Sequence, residues 1–300
     1  MGRTLSIIVT YQAEAWLSTC LESIRALGEL IDTVVVDNAS TDGTRSLLSG
    51  QYRDLIDYYH PLRRNVGFGR AHNFVFAQPY ARNYDHFLLL NQDAALPRPA
   101  FERLLQQADA EPGFGILSPV HYRSATERDS RFASYLRPGD PVVNGIREVP
   151  FVNAAIWLLR REVIDRIGGF NPVFPHYGED ENFATRLGLA GYRLGVVEDS
   201  TGYHYRPAGP VVQRTQLSPY AFWIVGLLRT VNPKNHLLRA VVTTGWDYLT
   251  LIARLTTSGR VGEAKRHLPF LLRYIRELPR YVRYHQLIIR ETGLEAADEP

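Results

Sequence analysis

The sequence predicts an α/β fold, a mostly parallel sheet flanked by helices, with a helical extension at its C-terminal end. Three observations carry this. Short apolar runs alternate with stretches of helical spacing over the first two thirds of the chain. Polar residues stand at the ends of several of those runs, where open parallel sheets bind ligands. Past Pro210 the composition changes to Leu-, Tyr-, Trp- and Arg-rich helical segments.

Taken in order, "LSIIVT" (5–10) reads as a buried strand, and "AWLSTCLESIRAL" (15–27) as a helix with Leu17, Leu21, Ile24 and Leu27 on one face. "DTVVVDNAS" (32–40) is a second buried strand with a polar end, followed by the turn "TDGT" and a short helix. "LIDYYH" is a third strand, leading into "NVGFGRAHN" (65–73), and "HFLLLNQD" is a fourth. Thr10, Asp37, Asn65 and Asp93 all fall at or just past strand ends. From residue 150, "VPFVNAAIWLLRREVIDRIGGF" gives a strand and a helix stopped by Gly168 and Gly169. "EDENFATRLGLAGYRL" is a helix that opens on three acids and ends at Gly191, and "GVVEDSTGYHY" is a further strand. The chain has no internal repeat and no low-complexity segment.

Bulk properties narrow the class. An apolar content of 45% and a charged content of 22% over 300 residues describe a soluble globular chain. The single cysteine, Cys20, excludes an intramolecular disulfide and a cysteine-rich zinc site and fits a reducing cytoplasm. The start has no signal-peptide apolar region, and the longest apolar stretch, 237–253, is interrupted by Arg239 and Asp247, so no membrane span is expected. The net charge of +3 hides an asymmetry: residues 217–290 carry +9, the tail 291–300 carries −4, and residues 1–216 carry −2. A strongly basic C-terminal third suggests an anionic surface as partner.

Several constellations bear on chemistry. Asp93 is either an Asx-turn residue before Pro97 or a carboxylate ligand for a hard cation that holds a diphosphate, and its convergence with Asp37 favours the second. In "DNASTDGT" (37–44), turn and cap formation explains Ser40 to Thr44, whereas Asp37 sits where a nucleoside makes contacts. "NVGFGRAHN" holds only a G-x-G, without the third glycine or the position after the first strand that a dinucleotide fingerprint needs, which excludes a dehydrogenase. It reads instead as a flexible loop carrying Arg70 and Asn73 toward phosphates or a sugar. Glu179, Asp180 and Glu181 either oppose a helix dipole or, by raising one another's pKa, supply a general base. His204 is either a satisfied strand histidine or a second metal ligand.

Together these segments resemble the family 2 glycosyltransferases of GT-A fold, most closely the rhamnosyltransferase-like branch. The carriers are "SIIVTYQ", "VVVDNASTDGT", "NVGFGRAHN", "LLLNQDAAL", "NAAIWLLRREVIDRIGGF", "YGEDENFATRLGLAGYR" and "GYHYRPAG", in the family's order over about residues 4–210. The resemblance implies a Rossmann-like catalytic domain over 1–210, with a nucleotide-sugar half to about 97 and an acceptor half from 98. Residues 211–290 would form a basic amphipathic helical extension, and 291–300 an acidic tail expected to be disordered. It implies donor binding by Thr10, Tyr11, Asp37, Asn38, Asn65, Gly67, Arg70, Asn73, Asn91 and Gln92, with Tyr11 stacked near the nucleobase. Asp93 matches the last Asp of the D-x-D metal site, His204 a later metal-ligating His, and Asp180 the catalytic base. Asn153, Trp157, Glu179 and Arg186 fall on the acceptor side, Arg186 supporting the acidic helix. The first Asp of D-x-D is Asn91 here, a neutral oxygen that lowers metal affinity. The implied reaction is inverting transfer of a sugar, with Mn²⁺ or Mg²⁺ as cofactor, from a nucleotide diphosphate sugar to a hydroxyl of a glycan or lipid-linked acceptor. That places the chain in cell-surface polysaccharide synthesis. The branch favours dTDP-rhamnose as donor. A UDP-hexose-dependent transferase and a catalytically degenerate scaffold are the alternatives. A sugar-phosphate nucleotidyltransferase would need a glycine-rich basic signature after the first strand, and "TYQAEAW" is not one.

In the C-terminal third, Arg266, Arg273, Arg276, Arg280 and Arg283 share one helical face, with Leu268, Leu271, Ile275, Leu278, Val282 and Ile289 opposite. Pro269 and Pro279 are expected to start or kink this helix. Its apolar side either packs on the catalytic domain or lies, with Trp223, Trp246 and Phe270, on an anionic membrane. Nucleic acid is not expected as a partner, because no binding motif accompanies the charge. The Tyr- and Leu-rich helices allow a homodimer. The expected location is the cytoplasm, peripheral on the inner face of the plasma membrane.

Overall fold

A computed structural model describes residues 2–205 and 218–292. The first part runs β1 (Thr4–Thr10), α1 (Leu17–Leu27), β2 (Asp32–Asp37), α2 (Thr44–Ser49), β3 (Tyr58–Pro61), α3 (Phe68–Phe76), β4 (His86–Leu90), β5 (Ala94–Ala95) and α4 (Arg98–Ala110). It continues through β6 (Phe114–Tyr122), α5 (Ser130–Ala133), β7 (Val142–Val143), β8 (Ile146–Glu148), β9 (Ile156–Arg160), α6 (Arg161–Ile167), α7 (Glu179–Leu189) and β10 (Arg193–His204). Three helices follow: α8 (Pro219–Val231), α9 (Leu237–Thr257) and α10 (Val261–Thr292).

The sheet order is β3-β2-β1-β4-β9-β6-β10-β8-β7, with β5 paired to β10. Strands β3, β2, β1 and β4 are mutually parallel, as are β6 and β10, and β9 runs antiparallel between β4 and β6. The central strands lie between apolar layers on both faces, so "SIIV" and "FLLL" read as continuous apolar runs rather than alternating ones. Register sets the site. Thr10 lies opposite Asp37 at the shared carboxyl edge of β1 and β2. In β10, Val197 pairs with Pro119 and Thr201 with Val120, so Glu198, Asp199 and Ser200 bulge out. Past the bulge, β10 turns to pair antiparallel with β5, His204 opposite Ala94. That pairing carries His204 to the residue that follows Asp93.

The chain divides into two compact units: Met1–Phe170 with Phe183–Gly209, and Asn171–Asn182 with Pro210–Pro300. The sheet unit has an apolar layer on each face, one around Leu17, Leu21, Phe101 and Leu104, the other around Phe87, Trp157, Phe170 and Phe183. The helical unit is centred on Trp223, Leu227, Tyr248, Tyr274 and Tyr281, with Val173 and Phe174 from the short inserted segment. The acidic tail beyond residue 292 and the end of "GYHYRPAG" lie outside the described residues.

Two expectations are corrected. The segment expected to be a flexible loop is helical from Phe68: Gly67, at φ 89°, makes the left-handed turn into α3, which buries Ala71, His72 and Val75. In α10, the packed stripe is Ala264, His267, Tyr274, Tyr281, His285 and Ile288, with Leu271 and Leu278 partly buried between them. These positions alternate in steps of three and four, the spacing of a helix–helix seam. Leu268 and Ile275, on the apolar face that the sequence predicts to pack or to meet a membrane, are exposed. Two of the polar side chains in this stripe are paired to α8: the Tyr274 hydroxyl meets Thr230 Oγ1 at 2.5 Å, and His285 Nδ1 lies 3.0 Å from the Thr230 carbonyl. Both prolines sit inside α10 rather than at its start.

Candidate active site

The carboxyl edge of the sheet is a set of loops laced together by side-chain-to-backbone bonds. Gln92 pairs with the Tyr11 backbone in both directions, accepting from its N–H at 2.7 Å and donating to its carbonyl at 3.1 Å. The Gln12 N–H donates to Ser40 Oγ, the Ala13 N–H to Thr44 Oγ1, and the Val66 N–H to Asn38 Oδ1. The loops after β1, β2, β3 and β4 therefore hold one another. Gln12 and Ala39 sit at φ 51° and 69°, a cost of order 1–3 kcal/mol each that these bonds offset. Tyr11 remains exposed, an aromatic face on a rigid support.

Asp37 does something other than expected. Its carboxylate is fully buried and accepts from Thr10 Oγ1 at 3.2 Å, from the Ser40 N–H at 3.3 Å and from Arg45 Nε at 2.6 Å. It has no exposed oxygen with which to reach a nucleoside. It fixes Arg45, which is half exposed and also donates to the Leu62 carbonyl. Arg45, in the short helix after the polar turn, thus presents its guanidinium at this edge.

Asp93 and His204 do come together. Asp93 Oδ1 is 3.5 Å from His204 Nε2, and the Tyr205 N–H donates to the Asp93 carbonyl at 2.8 Å. Behind the imidazole, Asp129 Oδ2 stands 3.9 Å from His204 Nδ1, and His121 packs edge-on with ring centroids 6.1 Å apart. Asp129 is buried and caps α5, accepting from the N–H groups of Arg131 and Phe132. Neither His121, near the end of β6, nor Asp129, in the little-patterned segment after it, stands out in the sequence. The Asp93 carboxylate and His204 imidazole together offer an O,N donor pair. Among the described residues no third His, Cys, Asp or Glu gathers with them as a metal cluster. Asn91 follows β4 directly, its N–H bonded to the Ala155 carbonyl.

Other expected residues serve the framework. Asn73 is committed at both ends of its amide, donating to the Phe170 carbonyl and accepting from its N–H, each at 2.7 Å. Arg186 is buried and donates to the carbonyls of Ile167 and Gly169, which ties α7 to the end of α6. Trp157 cannot line an acceptor surface: it is buried at the centre of β9, opposite Leu89, between Phe170 and Phe183. Asn153 Oδ1 is buried without a hydrogen-bond partner. Asn65 Oδ1 accepts from the Gly67 N–H and shapes the entry to α3, on which Arg70 is half-buried.

The acidic helix α7 starts after two left-handed residues, Tyr177 (φ 65°) and Gly178 (φ 86°). The first acid, Glu179, is buried, with Oε2 unpartnered. Burial, then repulsion from Asp180, pushes its carboxyl up to about 8. Asp180 is half-buried and accepts from the Glu181 N–H at 2.9 Å. The Tyr220 hydroxyl donates to the His176 carbonyl and, mainly through burial and then through the nearby Glu179, is pushed up to about 12.

The chain has relatives in sequence and in fold among known proteins. The sequence profile "Glycosyl transferase family 2" matches residues 6–168. The chain belongs to this family. The N-acetylglucosaminyl-diphospho-decaprenol L-rhamnosyltransferase of Mycobacterium tuberculosis is 25% identical over 234 residues, covering 67% of this chain and 75% of that protein. Among solved structures, S. aureus TarS 1–349 in complex with UDP-GlcNAc superposes with a TM-score of 0.58 at 17% identity, over 97% of this chain and 89% of that one. A longer TarS chain is matched over 41% of its length. The mannosyltransferase PcManGT from Pyrobaculum calidifontis, in complex with GDP-Man and Mn²⁺, superposes with a TM-score of 0.55 at 17% identity, over 100% of this chain and 88% of that one. The fold is therefore GT-A, and this family 2 glycosyltransferase has the rhamnosyltransferase-like relative that its motifs imply. No helix among the described residues is long and apolar enough to cross a membrane.

Proposed function

We propose that the protein is an inverting rhamnosyltransferase that moves rhamnose from dTDP-rhamnose to a hydroxyl of a lipid-linked saccharide in cell-envelope polysaccharide synthesis. The observation that carries this reading is the Asp93–His204 pair at 3.5 Å, beyond the carboxyl edge of the sheet. The mycobacterial relative, whose name specifies rhamnosyl transfer to a diphospho-decaprenol-linked N-acetylglucosamine, supports the donor sugar and the acceptor class. Tyr11 offers its exposed ring to the nucleobase, and Arg45, held by Asp37, offers positive charge to the donor. Asp93 and His204 would hold the divalent cation that accompanies the diphosphate, with the Asp129 carboxylate 3.9 Å behind the imidazole. When bound, Mn²⁺ or Mg²⁺ supplies positive charge beside the departing diphosphate. Asp180 removes the acceptor hydroxyl proton as the oxygen bonds to the anomeric carbon and the bond to the diphosphate breaks on the opposite face.

Thermal shift against dTDP, UDP, GDP and ADP, each with and without Mn²⁺, tests the donor. Saturating ligand at about 100 times its Kd stabilises by roughly 2.7 kcal/mol. Stabilisation by dTDP that needs Mn²⁺ supports both the nucleotide and the Asp93 site. Stabilisation by UDP alone replaces rhamnose with a UDP-hexose, and no response to any nucleotide leaves a scaffold rather than an enzyme.

A further inference from the structure

The helical unit carries an apolar surface that its own packing does not use. Helix α9 buries Ala240, Thr244, Tyr248 and Leu255, and turns Leu238 (66% exposed), Val242 (61%), Trp246 (65%) and Leu249 (59%) to the opposite side. At 100° per residue these four positions fall within one narrow sector, and the neighbouring Val241, Gly245, Ile252 and Ala253 add no charge to it. On α10, Leu268, Leu272 and Ile275 form a second exposed apolar strip, flanked by Lys265, Arg276 and Arg283. The strip on α9 is flanked by Arg239. Scattered exposed leucines are ordinary, but a stripe three helical turns long with a tryptophan in it is not.

We propose that this face of α9 and α10 docks on the surface of an anionic lipid bilayer. Charge decides between the possible occupants. Residues 217–290 carry +9, so a second copy of the chain brings like charge against like charge, whereas acidic headgroups complement it. In such a pose Leu238, Val242, Trp246 and Leu249 enter the boundary between headgroups and acyl chains. The lysine and arginine stems lie along it with their charges at the phosphates. The Leu268 and Ile275 positions, left unpacked by the seam of α10, then have an apolar environment. The inference stands on exposure and charge and needs neither donor nor acceptor, so its fate is separate from that of the proposed reaction.

The test is co-sedimentation of the full chain with vesicles of phosphatidylcholine alone and of phosphatidylcholine with 30% phosphatidylglycerol, together with analytical ultracentrifugation without lipid. Binding is expected only to the anionic vesicles and is expected to weaken in 0.5 M NaCl. Trp246→Glu is expected to lower the partition coefficient at least about tenfold, and Arg276→Glu or Arg283→Glu about fivefold or more each. Circular dichroism spectra matching the parent confirm that each variant is folded. Equal binding to neutral and anionic vesicles, or to neither, overturns the proposal. So does a dimer in the absence of lipid that Trp246→Glu dissociates, which would assign the face to a second copy.

Discussion

Three carboxylates of this protein sit in different surroundings and are expected to answer to different measurements. Asp180→Asn is expected to lower kcat about 10²–10⁴-fold with little change in donor affinity, read from turnover alongside nucleotide titration. Glu179 is a matter of stability. Its carboxyl is raised from 4.5 to about 8 in the fold, so the folded chain holds a proton that the unfolded chain releases between those values. The contribution of this group to stability therefore falls as pH rises from about 4.5 to 8 and is level above. Glu179→Gln removes that dependence, and thermal melts at pH 5, 7 and 9 are expected to show the variant gaining on the parent, by a few kcal/mol at the alkaline end. Asp129 caps α5 and places its carboxylate 3.9 Å from His204. Asp129→Ala is expected to cost about 1 kcal/mol through the lost cap of α5. Asp129→Asn keeps the acceptor oxygen but not the charge beside His204, and is expected to weaken Mn²⁺ binding about 10–100-fold in calorimetric titration.

At the scale of elements, backbone geometry separates what can vary from what cannot. Gly178 sits at φ 86°, and a Cβ there would lie 3.0 Å from both Ile224 and Phe174. Gly178→Ala is expected to cost about 1–3 kcal/mol in denaturant unfolding, because a left-handed turn and a crowded site are penalised together. Helix α10 gives a contrast between two apolar residues. Tyr281, fully buried in the seam, is expected to cost about 3–5 kcal/mol when truncated to Ala, whereas Leu272, exposed, is expected to change stability by no more than about 0.5 kcal/mol. The sequence pattern located these helices but ranked their faces by leucine content. What orders the faces is which side chains meet the neighbouring helices, and the pairing of Tyr274 and His285 depends on Thr230, a residue on another helix.

For the molecule as a whole, the sheet unit and the helical unit each have an apolar core of their own, so scanning calorimetry is expected to resolve two transitions. Nucleotide with Mn²⁺ is expected to raise the transition of the sheet unit, and Tyr281→Ala to lower that of the helical unit. A single transition moved equally by both would show that the two cores unfold together. The charge asymmetry, −2 over residues 1–216 against +9 over 217–290, also belongs to this scale. It is read directly from composition and needs no fold to be true.

Composition, apolar periodicity and ordered motifs sufficed for the α/β class, the polar residues at its strand ends, the acidic helix and the basic helical extension. Each of these is set by residues close in sequence, through strand and helix spacing and turn chemistry. Which polar side chains are available was decided only by tertiary contacts. Asp37 is sealed by Thr10, Ser40 and Arg45, Asn73 is spent on Phe170, and Trp157 is enclosed in the core. Asp93 meets His204 because a bulge in β10 turns its end onto β5, and Asp129 stands behind them from a loop that carries no motif. A hydrogen-bonding group looks the same in sequence whether it faces solvent or another residue a hundred positions away. Burial and pairing separate the two, and those are properties of the folded chain.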